Sequence, residues 1–200
     1  MQKLVLASNN AKKLKELSAL LSPLGITLIP QGELGVSEAE EPHCTFLENA
    51  LAKARHAAAA TGLPALADDS GLCVDALLGA PGVQSARYAG EPKSDERNNE
   101  KLLAALQNED NRRARFVSLL ALVRHAEDPQ PLIAEGEWQG EILRAPKGEG
   151  GFGYDPLFLD QKSGVASAEL PADVKNQRSH RGKAIAILIE KIREQIIGVR

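Results

Sequence analysis

The chain has 200 residues, and 24 Lys and Arg against 27 Asp and Glu give it a formal net charge of −3 at pH 7. This balance is not typical of nucleic-acid-binding scaffolds, which need a basic surface, so we expect a small-molecule partner and no nucleic acid. Two isolated cysteines, an apolar start too short for a signal peptide, and no segment of roughly 20 apolar residues predict a cytoplasmic protein with no membrane association.

Apolar spacing predicts strands that alternate with helices along the chain. Strands are expected over 3–7, 26–29, 65–67, 72–77, 114–123, 131–138, 141–143 and 156–159, and helices near 11–22, 45–61, 94–107 and 181–197. Such alternation is typical of a layered α/β fold, and two neighbouring long strands joined by a short loop favour a mixed sheet. Because no linker or repeat divides the chain, we expect one domain over residues 1–200, with two lobes as an option.

The first strand runs directly into a polar helix start. A helix N-terminus offers unpaired backbone N–H groups, and Ser8, Asn9, Asn10 and Lys13 add donors suited to a phosphate. An ordinary helix cap followed by solvated lysines is the alternative interpretation.

Carboxylates cluster at two places, in residues 38–41 before the second helix and at Asp68 and Asp69 after a short apolar run. Adjacent carboxylates repel each other, and a hard divalent cation such as Mg²⁺ offsets that cost. A solvated acidic turn and a tight turn are the alternatives. Lys53 lies four residues after Asn49, so the two share a helix face and could jointly hold a phosphate, although a solvated lysine fits the same pattern.

The loop from Gly148 to Pro156 is rich in glycine and carries Phe152 and Tyr154 in a chain with 4% aromatic residues. Aromatic rings stack on planar bases, and glycine lets the backbone approach a ligand closely. The alternative places both rings in the core.

Residues 175–183 are strongly basic and directly precede the last predicted helix. A basic turn at a helix start opposes the helix dipole, so an anion or an electronegative carbonyl is expected there. Arg181 could donate a fork of hydrogen bonds to a ring, whereas His180 alone suits packing equally well. The other histidines show no ligand spacing with His180, which argues against a zinc site.

Six blocks of this sequence resemble the inosine triphosphate pyrophosphatase family, in order and over nearly the whole length. The blocks are 8–13, 45–50, 67–72, 79–82 with 85–88, 151–156 and 179–182. The resemblance implies hydrolysis of inosine, deoxyinosine and xanthosine triphosphates (ITP, dITP and XTP) to the monophosphate and pyrophosphate, with Mg²⁺. It also implies an elongated mixed β-sheet flanked by helices, two lobes with a central active-site cleft, and a homodimer.

The resemblance further implies individual roles. Asp69 would be the catalytic carboxylate and a metal ligand, with Glu41 or Glu40 as the second ligand. The implied substrate-binding residues are Ser8, Asn9, Asn10, Ala11, Lys12, Lys13, Lys53, Ser70, Phe152, Gly153, Tyr154, Asp155, Lys175, His180 and Arg181. Those up to Lys53 would face the triphosphate and those from Phe152 onward the base, with Phe152 stacked on the purine.

Three other functions are compatible with parts of the pattern. A nucleotide sensor could dispense with Asp68, Asp69 and Glu41, which this chain keeps. The sister family of septum-formation inhibitor-like nucleotide pyrophosphatases is expected to carry a serine- and arginine-rich first loop in place of Asn9 to Lys13. A phosphatase for phosphomonoesters would release orthophosphate instead of pyrophosphate.

Overall fold

The computed structural model describes residues 2–197, except for the side chains of residues 2, 12 and 195–197. The strands are β1 (Gln2–Leu6), β2 (Ile26–Pro30), β3 (Ala65–Val74), β4 (Arg113–Val123), β5 (Leu132–Ile142) and β6 (Phe158–Asp160). The helices are α1 (Ala11–Leu21), α2 (Phe46–Thr61), α3 (Asp95–Ala105), α4 (Ala172–Arg178) and α5 (His180–Ile197). Among the described residues, no helix has the length and apolar character needed to cross a membrane.

The strands form one six-stranded sheet in the order β2-β1-β3-β4-β5-β6. Strand β1 runs parallel to β2, from Gln2 opposite Ile26 to Leu6 opposite Pro30, and also parallel to β3. Strand β6 runs antiparallel to β5. The sheet is therefore mixed, which confirms the fold class predicted from the alternation of strands and helices.

The chain divides into two compact units, each built from separate stretches. Unit 1 comprises the described residues of Met1–Asp69, Leu119–Glu135 and Ala184–Arg200, and unit 2 comprises Ser70–Ser118 and Gly136–Lys183. The core of unit 1 includes Leu4, Leu6, Leu17, Leu21, Ile185 and Leu188, which come from β1, α1 and α5. The core of unit 2 includes Leu72, Leu102, Phe116, Trp138, Leu157 and Phe158.

Two predicted strand breaks were wrong. Residues 65–67 and 72–77 were expected as separate strands, but β3 continues through Asp68 to Val74. Residues 131–138 and 141–143 were likewise separated, yet β5 continues through Gly140. A Cβ at Gly140 would lie 2.3 Å from the Leu159 carbonyl oxygen, so this glycine allows β6 to approach closely and does not end the strand.

The basic segment before the last helix was predicted as a turn and is mostly helical. Helix α4 ends at Arg178, and Ser179 takes an extended conformation before α5 begins. The Ser179 Oγ then accepts a hydrogen bond of 3.1 Å from the backbone N–H of Gly182, as an N-cap residue does. Lys175 therefore lies on α4, whereas His180 and Arg181 form the first turn of α5.

Candidate active site

The junction of β1 and α1 in unit 1 is a helix start capped by side chains, as in the alternative interpretation of the sequence, and phosphate binding there stays a prediction. The Asn10 carboxamide oxygen accepts from the Lys13 backbone N–H at 3.2 Å, and the Ser8 Oγ accepts from the Asn10 N–H at the same distance. The oxygen of Asn9 accepts from the Gly32 N–H at 2.9 Å. Ser8 is half-buried, Asn9 to Ala11 are exposed, and the side chain of Lys12 lies outside the described residues. The first turn of α1 is thus open to an anion.

The adjacent carboxylates of β3 are each paired with a different lysine. Successive side chains of a strand point to opposite faces, so Asp68 and Asp69 do not share one environment. Asp68 Oδ2 lies 2.6 Å from Lys13 Nζ. Asp69 Oδ1 lies 3.2 Å from Lys53 Nζ, which is also 2.6 Å from Glu41 Oε1. The structure thereby brings together the acids and lysines that the sequence had placed far apart along the chain.

Asp69 is nearly buried, with 12% of its side chain exposed. Burial raises the pKa of Asp69; the charge of Lys53 opposes this increase, and the repulsion from Glu41 adds to it. Burial lowers the pKa of Lys53, but Asp69, Glu41 and Asp68 outweigh that effect and leave it raised. Asp69 Oδ2 is buried and has no hydrogen-bond partner among the described residues. One oxygen is therefore held by Lys53 while the other can accept a proton or a cation.

The carboxylates of Asp69 and Glu41 fit a metal ion that is shared with a ligand. No group of three or more His, Cys, Asp or Glu side chains within residues 2–197 is arranged to enclose a metal. Mg²⁺ in nucleotide sites is usually held by one or two carboxylates together with phosphates and water, so two acids are sufficient. Glu41 contacts the cluster through Lys53, whereas Glu40 is exposed. The geometry therefore favours Glu41 over Glu40 as the second ligand.

The hypothesis that Asn49 and Lys53 jointly hold a phosphate needs correction. Asn49 is 1% exposed, and its carboxamide is engaged with the backbone of His43. The oxygen accepts from the His43 N–H at 3.1 Å, and the nitrogen donates to the His43 carbonyl at 3.3 Å. Asn49 thus fixes the chain next to Glu41, and Lys53 remains as the cation of this helix face.

In unit 2 the glycine-rich loop presents one aromatic ring, not two. Phe152 is 61% exposed, whereas Tyr154 is 4% exposed and packs in the core. The Tyr154 hydroxyl donates a hydrogen bond of 2.8 Å to the Ser85 carbonyl, and burial raises its pKa. The ring of Tyr154 thus supports the loop from within the core, and the role of Tyr154 as a substrate contact stays a prediction. Phe152 remains available for stacking.

Asp155 is also a structural member of this loop. Its Oδ2 accepts from the Phe152 N–H at 2.8 Å and from Lys175 Nζ at 2.5 Å, and its Oδ1 accepts from Ser167 Oγ at 2.7 Å. Since the side chain is 5% exposed and both oxygens are engaged, Asp155 holds the loop, and its role as a substrate contact stays a prediction. Gly151 has a φ of +83°, and its Cβ would lie 2.2 Å from Asp155 Oδ2, so only glycine fits.

Sequence reasoning missed Ser167, whose buried hydroxyl completes the partners of Asp155. It lies in a short turn, Ser167–Glu169, in an irregular part of the chain, so no periodicity connects it with the glycine-rich loop.

Two cationic groups lie over the exposed ring of Phe152. Lys175 Nζ is 5.5 Å from the ring centroid, and the Arg181 guanidinium carbon is 6.0 Å away. The Nε of Arg181 is buried without a hydrogen-bond partner among the described residues. His180 stacks on Phe116 at 4.9 Å between ring centroids. Unit 2 therefore combines an aromatic face with donors at its edge, which suits a planar ligand that carries acceptors.

The other residues of the predicted site are compatible with it but less informative. Ser70 follows Asp69 in β3 and is half-buried, and Gly153 follows Phe152 with a φ of +61°.

Comparison with known proteins gives one consistent result. The family model described as the Ham1 family matches residues 4–191. The chain is 61% identical over 194 residues to the dITP/XTP pyrophosphatase of Nitrosomonas europaea, and the match covers 97% of this chain and 96% of that relative. It is 63% identical over 190 residues to the dITP/XTP pyrophosphatase of Aromatoleum aromaticum, covering 95% of this chain and 96% of that relative. The solved structure of a HAM1 protein from Coxiella burnetii superposes with a TM-score of 0.95 at 49% identity, covering 97% of this chain and 100% of that one.

Proposed function

The chain belongs to the Ham1 family, and we propose that it hydrolyses the non-canonical purine nucleoside triphosphates ITP, dITP and XTP. The products are the nucleoside monophosphate and pyrophosphate, so the enzyme removes deaminated purines from the nucleotide pool. Relatives at about 60% identity that carry the name dITP/XTP pyrophosphatase support this substrate class. The observation that carries the chemistry is Asp69, a buried carboxylate with one oxygen on Lys53 and one without a partner.

The triphosphate is assigned to unit 1. The open first turn of α1, with Ser8 to Lys13, supplies backbone N–H groups and a positive dipole end for phosphate oxygens. Lys13 and Lys53 add charge, and their present contacts with Asp68 and with Glu41 and Asp69 keep both ammonium groups in place before the substrate arrives. Negative charge builds on the departing pyrophosphate, so cations fixed in advance stabilise the transition state more than mobile ones do.

Mg²⁺ held by Asp69 and Glu41 would neutralise phosphate charge and lower the pKa of a bound water. Asp69 then has two tasks. Its Oδ1 stays with Lys53, and its Oδ2, which has two lone pairs, would both contact the metal and accept the proton of the attacking water.

The purine base is assigned to unit 2. Phe152 offers the stacking face, Arg181 donates towards the 6-oxo group, and Lys175 and His180 complete the edge. Gly153, Tyr154 and Asp155 form the loop that presents this face to the base, and hydrogen bonds to their side chains and backbone hold that loop. We also infer from the resemblance a single 200-residue domain, a homodimer and a cytoplasmic location.

The deciding experiment is an assay of both possible products on a panel of triphosphates. We expect pyrophosphate from ITP, dITP and XTP at a far higher kcat/KM than from ATP, and loss of the activity when Mg²⁺ is chelated. Release of orthophosphate, or equal rates with all nucleotides, would contradict the proposal.

A further inference from the structure

The loop that carries Phe152 is held by helix α3, which the proposed reaction does not use. The Gly153 N–H donates a hydrogen bond of 2.6 Å to Asp95 Oδ2, and the Gly153 carbonyl accepts one of 2.9 Å from Asn99 Nδ2. Both backbone polar groups of a single glycine are therefore bound by one helix. Asp95 and Asn99 are four residues apart, which places them on the same helix face one turn apart.

Helix α3 is itself firmly anchored within unit 2. The Ser94 Oγ caps its first turn by accepting from the Arg97 N–H at 3.2 Å. Asn98 is 2% exposed, accepts from the Ala89 N–H at 2.7 Å and donates to the Ala86 carbonyl at 3.2 Å. Because the helix is fixed to the neighbouring segment, its hydrogen bonds with Gly153 hold the loop in a defined position.

Gly153 is a position where such contacts matter. Its φ of +61° lies in the left-handed region, and a Cβ there would meet nothing within 4 Å, so neighbouring atoms do not confine the residue sterically. Glycine also has the widest conformational freedom of all residues. Hydrogen bonds to its N–H and C=O are therefore the direct restraint on the backbone that follows Phe152, while Asp155 restrains the backbone N–H of Phe152 itself.

We propose that Asp95 and Asn99 are positioning residues for base recognition: by clamping Gly153 they fix the exposed ring of Phe152 in its stacking pose. This inference rests on the proposed function, in which Phe152 stacks on the purine. A ring that is 61% exposed has few packing contacts to orient it, so its pose depends on the backbone that carries it. Because this backbone is already ordered before the ligand binds, the binding free energy is not reduced by the entropy lost in ordering it.

The variants that test this are Asn99→Asp and Asp95→Ala. Asn99→Asp keeps the shape but replaces the donor that faces the Gly153 carbonyl by a second acceptor. Asp95→Ala removes the acceptor for the Gly153 N–H, whereas Asp95→Asn keeps an acceptor and is the conservative rescue. The matched control is Glu96→Ala, which removes the same charge from an exposed position on the same helical turn.

Binding is measured by calorimetry with two probes, inosine monophosphate and inorganic tripolyphosphate, alongside the KM and kcat for ITP. We expect Asn99→Asp and Asp95→Ala to weaken the affinity for inosine monophosphate about three- to tenfold and to leave the affinity for tripolyphosphate unchanged. The KM for ITP should rise by a similar factor, with kcat changed by less than about twofold. Asp95→Asn and Glu96→Ala should bind as the unaltered protein does.

The variant Phe152→Ala distinguishes a failure of the clamp on Gly153 from a failure of the proposed base site. If Phe152→Ala weakens inosine monophosphate but Asn99→Asp and Asp95→Ala do not, the clamp is overturned and the proposed base site stands. If Phe152→Ala leaves the affinity unchanged, the proposed base site itself is wrong. Equal weakening of both probes in the clamp variants would indicate a general structural effect and would also overturn the inference.

Discussion

At the scale of single residues, the two oxygens of Asp69 differ. Oδ1 faces Lys53 at 3.2 Å, and Oδ2 is buried with no hydrogen-bond partner among residues 2–197. A buried acceptor without a partner destabilises a fold, so Oδ2 is the oxygen through which we expect Asp69 to act.

Replacement of Asp69 by Asn should abolish turnover and spare binding. The amide keeps the shape but cannot accept the proton of the water, and a positioned general base usually contributes about 10²–10⁴-fold. We expect kcat for ITP to fall by at least about a hundredfold, with a measurable affinity for a non-hydrolysable ITP analogue. More than about a tenth of the original kcat would move the role to another residue.

Substitution of Glu41 should change the Mg²⁺ requirement of the enzyme, whereas substitution of Glu40 should not. Glu41 contacts Lys53 beside Asp69, whereas Glu40 is exposed, so Glu41→Gln removes a ligand and Glu40→Gln serves as its matched control. We expect the Mg²⁺ concentration for half-maximal activity to rise at least about tenfold in Glu41→Gln and to stay constant in Glu40→Gln. The reverse order would reassign the ligand.

Arg181 should set the choice of base and Phe152 the affinity for every purine. A guanidinium can only donate, so it pairs with the 6-oxo group of hypoxanthine but opposes the 6-amino group of adenine. Sites built to bind one polar group reject the analogue that lacks it by about 10⁴–10⁵-fold. Arg181→Ala should therefore lose activity on ITP and narrow the ratio of kcat/KM for ITP over ATP.

Phe152→Ala is the comparison variant for that experiment. Stacking is tolerant of base identity, so kcat/KM should fall for both nucleotides with the ratio nearly kept. An unchanged ratio in Arg181→Ala would show that the 6-oxo group is read elsewhere. The backbone N–H groups of Gly151 and Tyr154 would be the next candidates, because those of Phe152, Gly153 and Asp155 are engaged within unit 2.

At the scale of elements, β3 and the α4–α5 pair decide how the site is presented. Because β3 is continuous, its alternation separates Asp68 from Asp69 and gives each its own lysine. Because Ser179 interrupts the helix, Lys175 and Arg181 approach Phe152 from two helices. The end of β6 ties to α4 through Asp160, which accepts from Trp138 Nε1 at 2.9 Å and from Arg178 at 3.1 Å.

Asp160 should stabilise unit 2 in a pH-dependent way. Burial raises its pKa, but hydrogen bonds from Ser163, Trp138, the Lys162 N–H and Arg178 outweigh this and lower the pKa to about 2. A pKa lowered from 3.8 corresponds to about 2 kcal/mol of stability, which is present above the unfolded pKa and lost as the pH falls through the folded one.

Urea unfolding followed by the fluorescence of Trp138 measures this. Asp160→Asn should lower the stability by about 2 kcal/mol at pH 7, and the difference from the unaltered protein should shrink as the pH falls from about 4 to 2. Asp110→Asn removes the partner of Arg144 at a fully exposed position and should change little. A pH-independent difference for Asp160→Asn would contradict the assignment.

At the scale of the whole molecule, the two units have separate cores and different chemistry. The acid and lysine cluster belongs to unit 1, and Phe152 with its cations belongs to unit 2. Large exposed apolar side chains remain on the surface, and Leu78 is 99% exposed with a φ of +53°, a conformation that favours glycine.

We expect a homodimer in solution. Sedimentation velocity should give twice the chain mass of 21.4 kDa at micromolar concentration, independent of substrate. A species of single-chain mass would contradict this expectation, which comes from the family resemblance.

The sequence by itself determined the class of fold and the chemical parts of the site. Apolar spacing placed β1, α1, α2 and β4 within a few residues, since periodicity is local. The family resemblance assigned roles to Asp69, Lys13, Phe152 and Arg181, which lie in the six blocks, and to Lys53 just after one of them, before any geometry was known; these roles stay predictions.

Only the tertiary structure decided which candidates are free to act. Tyr154 and Asp155 were predicted as substrate contacts, and the structure adds that Ser85 and Ser167 engage their side chains in the core. Asn49 is likewise engaged by His43. The predicted break between residues 138 and 141 is absent, because Gly140 continues β5 and allows the close approach of β6. Burial and hydrogen bonding depend on partners distant along the chain, which no local pattern specifies.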